Sequence, residues 1–203
     1  MKKIGIMGGT FDPIHIGHLI AAETAREQGG LDEVWFIPTA DPPLKNRAPL
    51  AAAAQRLEMV QLAIAGHGEF RALDLEIRRG GISYSIDTIL ELRSQYPRYA
   101  FYYIIGSDRM NDLPRWHRIQ ELSAQAGFIG LARPGEPMEL EELSAELRHS
   151  LLLAEMPQIG ISSTKLRAKL ANRLSVRYLL PDSVLAYIRR LGLYGTVPHD
   201  REG

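Results

Sequence analysis

Two histidines stand three residues apart in Gly8-Gly9-Thr10-Phe11-Asp12-Pro13-Ile14-His15-Ile16-Gly17-His18-Leu19, directly behind a short apolar run. At a helix start, side chains at that spacing lie on the same side of the helix, and Gly17 between them adds no bulk. Paired imidazoles there form a compact source of donors and positive charge, aimed where backbone N–H groups of the first turn also point. That suits a phosphate on which negative charge builds during reaction. Gly8 and Gly9 let the chain turn sharply and approach a ligand closely. Two blander readings stand beside this one. The first is a metal pair, for which no third ligand lies nearby in the sequence; the second is two incidental surface histidines. Neither G-x-G-x-x-G nor G-x-x-x-x-G-K-[ST] occurs here, so there is no dinucleotide fingerprint and no Walker loop.

A second cluster follows Ile161. Ser162, Ser163 and Thr164 are three hydroxyl residues at a predicted helix start, and Arg167 adds a forked cation one turn later. Side-chain O–H, backbone N–H and guanidinium groups together would hold the outer phosphates of a nucleotide, whereas a plain N-cap needs one hydroxyl. Ser83-Tyr84-Ser85 opens another predicted helix, where Ser85 reads as a cap or as a donor. Asp108, just past Gly106, reads as a helix cap or a ligand contact, and Arg133 as a surface ion pair or a crevice cation. Trp116 reads as a core residue or an exposed flat face.

Those residues must be positioned by strands and helices in alternation. Lys3–Met7, Glu33–Pro38, Tyr99–Gly106 and Gly127–Ala132 are nearly continuous apolar runs, the pattern of strands buried on both faces. Phe70–Ile77 alternates and predicts a strand with one exposed face; Ser150–Met156 is a weaker sixth strand. Helical spacing is read over Pro49–Ala65, Ser85–Tyr96, Pro114–Gln125, Glu139–His149, Ser162–Asn172 and Pro181–Leu191. The prediction is an α/β fold: a single-domain, Rossmann-like, doubly wound parallel sheet of five to six strands with a C-terminal helical segment. The domain is expected to span 1–195, with 196–203 as a tail. Ligands of such sheets sit at the carboxyl ends of the strands, where each candidate above falls.

Composition removes several alternatives. A chain of 203 residues with 45% hydrophobic residues can bury a core. Its 24 Lys and Arg against 24 Asp and Glu argue against a general nucleic-acid binder. Zero cysteines exclude disulfides, thiolate metal sites and cysteine nucleophiles. No long apolar run predicts a membrane span and no targeting segment is visible, so a cytoplasmic protein is expected.

The segment GGTFDPIHIGHL resembles the signature of the nucleotidyltransferase superfamily with (T/S)-x-x-H-x-G-H, and in its extended form the bacterial nicotinate-mononucleotide adenylyltransferase family. Pro42-Pro43-Leu44-Lys45, SYSIDT from Ser83, Gly106 to Asp108, Leu113-Pro114-Arg115-Trp116, Arg133-Pro134-Gly135 and Ile161-Ser162-Ser163-Thr164-Lys165-Leu166-Arg167 are similar to further family segments in order. Leu44 departs from a family histidine, and Ser85 from a threonine. The resemblance implies transfer of the adenylyl group of ATP to nicotinate mononucleotide, giving deamido-NAD and pyrophosphate. It implies catalytic roles for His15, His18 and Arg167. ATP would be bound by Gly8, Gly9, Thr10, Phe11, His15, His18, Gly106, Asp108, Ile161, Ser162, Ser163, Thr164 and Arg167. The mononucleotide would meet Lys45, Ser83, Tyr84, Ser85, Trp116 and Arg133. Mg²⁺ would be carried by the ATP phosphates and water, with no metal ligand from the chain. No nucleic acid or membrane partner is implied, and a homo-oligomer is left open. Relatives acting on pantetheine phosphate, on glycerol phosphate with CTP, or on the amidated mononucleotide share the histidine pair; SYSIDT, LPRW and ISSTKLR favour a pyridine nucleotide, and the choice of acid over amide is left to donors around the ring substituent, Ser85 among them. The expectation that matters most is that the histidine pair and the hydroxyl-rich turn converge on one cleft.

Overall fold

The computed structural model describes residues 1–41, 48–132 and 143–197, with Ser107 and Asp108 described by backbone alone. The continuous apolar runs pair into one sheet, because each has two faces to bury. β1 (Lys3–Gly9) lies between β2 (Glu33–Pro38) and β4 (Ala100–Gly106). β3 (Phe70–Ala72) forms one edge beside β2, and β5 (Gly127–Ala132) and β6 (Leu151–Glu155) extend the other side, giving the order β3-β2-β1-β4-β5-β6. Every pairing is parallel.

Helices cover both faces. On one, α1 (Ile16–Gly29), α2 (Ala53–Ile64), α8 (Ser163–Ala171) and α9 (Asp182–Arg190) bring Ala22, Val60, Leu166 and Ile188 into a core with Val34, Phe36 and Ile129. On the other, α4 (Ser85–Gln95) and α6 (Ile119–Gln125) bring Ile86, Ile89 and Leu122 against Ile4, Trp35 and Phe101. No helix among the described residues is long and apolar enough to cross a membrane.

The direction of winding reverses between β1 and β4, and there the sheet opens. β1 stays paired with β2 as far as Gly9 opposite Pro38, whereas its last partner on β4 is Tyr103, opposite Ile6. The carboxyl ends of β1 and β4 therefore part beyond that pair, leaving a crevice at the place where open α/β sheets bind ligands.

Two expected elements are different. The strand expected over Phe70–Ile77 is strand only as far as Ala72, and α3 (Leu75–Arg79) follows as a short helix. The chain must leave the sheet edge there, because Ser83 returns to donate its N–H to the Asp41 carbonyl at 3.1 Å. Asp74 and Glu76 were expected on one solvent face; instead Glu76 is buried and accepts the Thr88 hydroxyl at 2.6 Å. That long-range partner overrides the alternating pattern. The single helix expected over Pro114–Gln125 is a 3-10 turn at Leu113–Arg115, an extended Trp116 (φ −67°, ψ 142°), and a left-handed Arg118 (φ 53°) ahead of α6. Arg118 holds Glu121 at 2.6 Å and lies 3.7 Å from Asp87 of α4, contacts that fix the break. Of the helix expected over Glu139–His149, α7 (Ala145–His149) is present, capped by Ser144; residues 139–142 lie outside the described residues. α5 (Ser107–Met110) completes the set.

Candidate active site

The loop joining β1 to α1 is held from beneath by two buried polar side chains. The Asp12 carboxylate accepts the N–H groups of Leu50 (2.9 Å) and Ala51 (3.1 Å) and the Tyr194 hydroxyl (2.7 Å). Arg56 donates to the carbonyls of Thr10 and Thr39, both at 2.7 Å, and reaches those of Ala40 and Ala51 at 3.3 Å. Burial lowers the Arg56 pKa and Asp12 partly restores it; burial, then the Asp12 bond, raises that of Tyr194. Each of these groups ties separate loops together, so the β1–α1 turn is rigid where a ligand would meet it.

His15 and His18 stack on that turn, with ring centroids 3.7 Å apart and planes inclined by 22°. Burial lowers the pKa of His15 to about 4, so it is neutral at pH 7, and its Nδ1 has no hydrogen-bond partner among the described residues. The His15 N–H donates to His18 Nδ1 at 3.2 Å. A neutral His18 therefore carries its proton on Nε2, which makes that nitrogen the donor. A Cβ on Gly17 would lie 3.1 Å from His15 Nδ1, so the small residue makes room for the buried ring. Phe11, also buried, sets its ring edge-on to His18 at 5.2 Å. Its ring acts as a support for the imidazole, and a Cβ on Gly9 would press within 2.9 Å of it.

The hydroxyl-rich turn reaches the same loop from far along the chain. Ser163 donates to the Pro13 carbonyl at 2.8 Å, and Arg167 donates to the Asp12 carbonyl at 2.7 Å. Arg167 also reaches the Thr164 hydroxyl at 3.2 Å and lies 3.8 Å from the Asp12 carboxylate. Ser162 serves as the N-cap of α8, accepting from the Lys165 N–H, and half-buried Ile161 packs against the core. The turn and the histidine pair thus touch the same β1–α1 loop, while His15, His18, Ser163, Thr164 and Arg167 are not among the residues that line the cavity beside it.

Beside it lies a cavity of about 520 Å³ at the parted strand ends. Among the expected residues, Gly8, Gly9, Thr10, Gly106, the Ser83–Ser85 loop and Trp116 line it. Ser83 accepts the Ala40 N–H at 3.1 Å, and the Tyr103 hydroxyl donates to the Ser85 carbonyl at 3.2 Å, which fix the loop at the start of α4. The first N–H groups of α4 have no acceptor within the helix, so this wall is rich in donors. Trp116 stands edge-on to Tyr103 at 6.0 Å and is half-buried, whereas the fully buried tryptophan is Trp35. Tyr103, Glu76, Arg109, Arg115 and His117 also line the cavity and were not singled out in the sequence. Lys45, Arg133 and the Asp108 side chain lie outside the described residues. A shallower groove of about 660 Å³ runs along the amino ends of β4, β5 and β6, away from every candidate residue.

A Cytidylyltransferase-like family profile matches residues 6–169. The chain is 48% identical over 195 residues to a probable nicotinate-nucleotide adenylyltransferase of Oceanobacillus iheyensis, covering 96% of this chain and 98% of that one. It is 44% identical to a protein of the same description from Desulfitobacterium hafniense, covering 95% of this chain and 96% of the relative. The chain belongs to the nicotinate-nucleotide adenylyltransferase family. Its fold is also that of the Plasmodium falciparum nicotinic acid mononucleotide adenylyltransferase complexed with NaAD, with a TM-score of 0.79 at 22% identity over 97% of this chain and 99% of that one.

Proposed function

We propose that this chain transfers the adenylyl group of ATP to nicotinate mononucleotide, forming deamido-NAD and releasing pyrophosphate. One observation carries the reading: Ser163 and Arg167 close on the Pro13 and Asp12 carbonyls at 2.8 and 2.7 Å, so their turn and the stacked histidines share one loop beside the cavity. A phosphate oxygen of the mononucleotide attacks the α-phosphorus of ATP in line, the bond to the bridging oxygen breaks, and pyrophosphate leaves. The chain needs no nucleophile. It must hold two mutually repelling polyanions in register and meet the charge on the phosphoryl oxygens.

Each residue then has a part. The Nε2–H of His18 and the amides of Gly8–Thr10 serve the α-phosphate, and Ser163, Thr164 and Arg167 the outer phosphates. His15, neutral at pH 7, orients its neighbour without adding a second charge. Gly106 ends β4 and Asp108 follows it in α5, where they would meet ATP near the ribose or by way of its metal, while Lys45 and Arg133 would add cations. Trp116 offers its face to the pyridine ring, and the donors at the start of α4 suit a ring carboxylate, which accepts at both oxygens. ATP would enter as its magnesium complex, because phosphate oxygens are the ligands Mg²⁺ prefers. The P. falciparum protein, complexed with NaAD in one structure and with APC in another, supports this pairing of substrates.

Pyrophosphate release, measured with ATP, Mg²⁺ and each acceptor in turn, tests the reading. Nicotinate mononucleotide should give the highest kcat/KM, ahead of the amidated mononucleotide and well ahead of pantetheine phosphate. A higher value with pantetheine phosphate, or no release with either pyridine mononucleotide, would overturn it.

A further inference from the structure

Glu76 is a buried carboxyl group in the cavity wall that the proposed chemistry leaves unused. It is 4% exposed, and its Oε1 accepts the Thr88 hydroxyl at 2.6 Å. Its Oε2 is buried with no hydrogen-bond partner among the described residues. Arg79, on the same short helix, donates to Thr88 Oγ1 at 2.9 Å and to Glu91 of α4 at 3.3 Å, so it does not neutralise Glu76 directly. The order of these bonds fixes where a proton can sit. Thr88 has one hydroxyl hydrogen; its oxygen takes the Arg79 bond, and Oε1 of Glu76 at 2.6 Å is a nearer acceptor for the hydrogen than the Tyr84 carbonyl at 3.4 Å. A proton on the carboxyl group therefore occupies Oε2. Leaving that oxygen ionised, sealed from water and without a cation is costly.

We propose that Glu76 is a positioning residue that sets the preference for a pyridine ring bearing a carboxylate over one bearing an amide: it stands behind the Ser83–Ser85 loop as a neutral carboxylic acid, and ionising it turns the cavity against the ring carboxylate. The inference rests on the proposed pyridine-nucleotide reaction. Burial raises the Glu76 pKa, the Thr88 and Ser83 hydroxyls and Arg79 lower it, and Glu91 raises it again. Tyr103 of β4 also faces it, and Glu76 is the second cause, after burial, of the raised pKa of that phenol. The sign follows. The ring carboxylate favours the protonated form of Glu76, so above the pKa of the free enzyme each acid-ring molecule bound must be accompanied by a proton. An amide ring makes no such demand, and both mononucleotides carry the same phosphate and ribose.

The test is the ratio of kcat/KM for nicotinate over nicotinamide mononucleotide from about pH 5 to about pH 9, in the wild type and in Glu76→Gln. The wild-type ratio should fall with rising pH, by up to about tenfold per pH unit. Glu76→Gln, which keeps an acceptor for Thr88 and cannot ionise, should hold one ratio throughout with the KM for ATP little changed. A flat wild-type ratio, or an unaltered slope in the variant, overturns the role of Glu76 while leaving the reaction standing. Should the variant fold poorly, calorimetry on the wild type decides: the acid mononucleotide should take up a proton on binding at alkaline pH and the amide should not. Equal uptake by both overturns the inference, whereas turnover with neither ring would strike the proposed reaction itself.

Discussion

The phosphate end and the ring end of the crevice are built in opposite ways. At the phosphate end, the β1–α1 turn is clamped by Asp12, Arg56 and Arg167, whose partners come from residues as distant as Tyr194. At the ring end, the wall consists of the start of α4, the short α3 and an extended Trp116 between a 3-10 turn and α6. The first holds groups that must not move while charge develops, and preorganised donors are worth most when they need no rearrangement. The second meets a cationic or zwitterionic pyridinium ring, where stacking and a few donors suffice. Substitutions at the phosphate end should therefore damage stability or kcat, and those at the ring end should appear in KM.

Arg56→Leu should produce the largest effect. The substitution strips the carbonyls of Thr10 and Thr39 of donors at 2.7 Å and those of Ala40 and Ala51 of weaker ones. Buried acceptors left without partners cost about 1–3 kcal/mol each, so unfolding in urea should show a loss of about 4 kcal/mol. A loss comparable with that of an exposed arginine would mean the turn is not clamped as described.

Acid should act on the same end through His15. Its pKa lies near 4 in the folded protein against 6.5 for an exposed imidazole. As pH falls below 6.5 the unfolded chain takes the proton first, so stability present at neutral pH is lost progressively towards about pH 4. At about 1.4 kcal/mol per tenfold change in proton affinity, the loss is about 3 kcal/mol. Urea midpoints measured across that range should fall with acid in the wild type and less steeply in His15→Gln.

His18→Ala separates chemistry from scaffold. His18 is half-buried and meets His15 and Phe11 of its own loop, so the midpoint of unfolding should fall by less than in Arg56→Leu. Removing one preorganised donor costs about 100-fold or more in kcat, equivalent to about 2.7 kcal/mol. Steady-state kinetics at saturating substrates should show that drop with both KM values nearly preserved; normal turnover would remove His18 from the reaction.

What the sequence made legible follows the same division. The sheet was readable because its strands are continuous apolar runs, and the phosphate end because GGTFDPIHIGHL and ISSTKLR each place several chemical groups within one helical turn. Arg56 could have been noticed as a cation on the same helical face as Val60 and Ile64; Tyr194 and Glu76 gave no local sign, since their partners lie 182 and 12 residues away. At the ring end, the alternation of Leu73, Leu75 and Ile77 matched a strand, yet the bond from Thr88 to Glu76 and the return of Ser83 to Asp41 required a helix. Local periodicity reports which face is apolar and is silent on a buried polar partner arriving from another element.

Trp116 gives the smallest and most diagnostic effect. Its ring touches the cavity and leans edge-on against Tyr103, so truncating it removes a stacking face and leaves the sheet intact. Aromatic pairing contributes about 1 kcal/mol beyond buried area, which corresponds to a rise of about fivefold to tenfold in KM for the mononucleotide in Trp116→Ala. Trp116→Phe should recover most of that, because a smaller flat ring still stacks. The KM for ATP should stay unchanged in both variants. A joint rise in both KM values would mean that the two ends are mechanically coupled, and the division drawn between a rigid phosphate clamp and an adaptable ring wall would then fail.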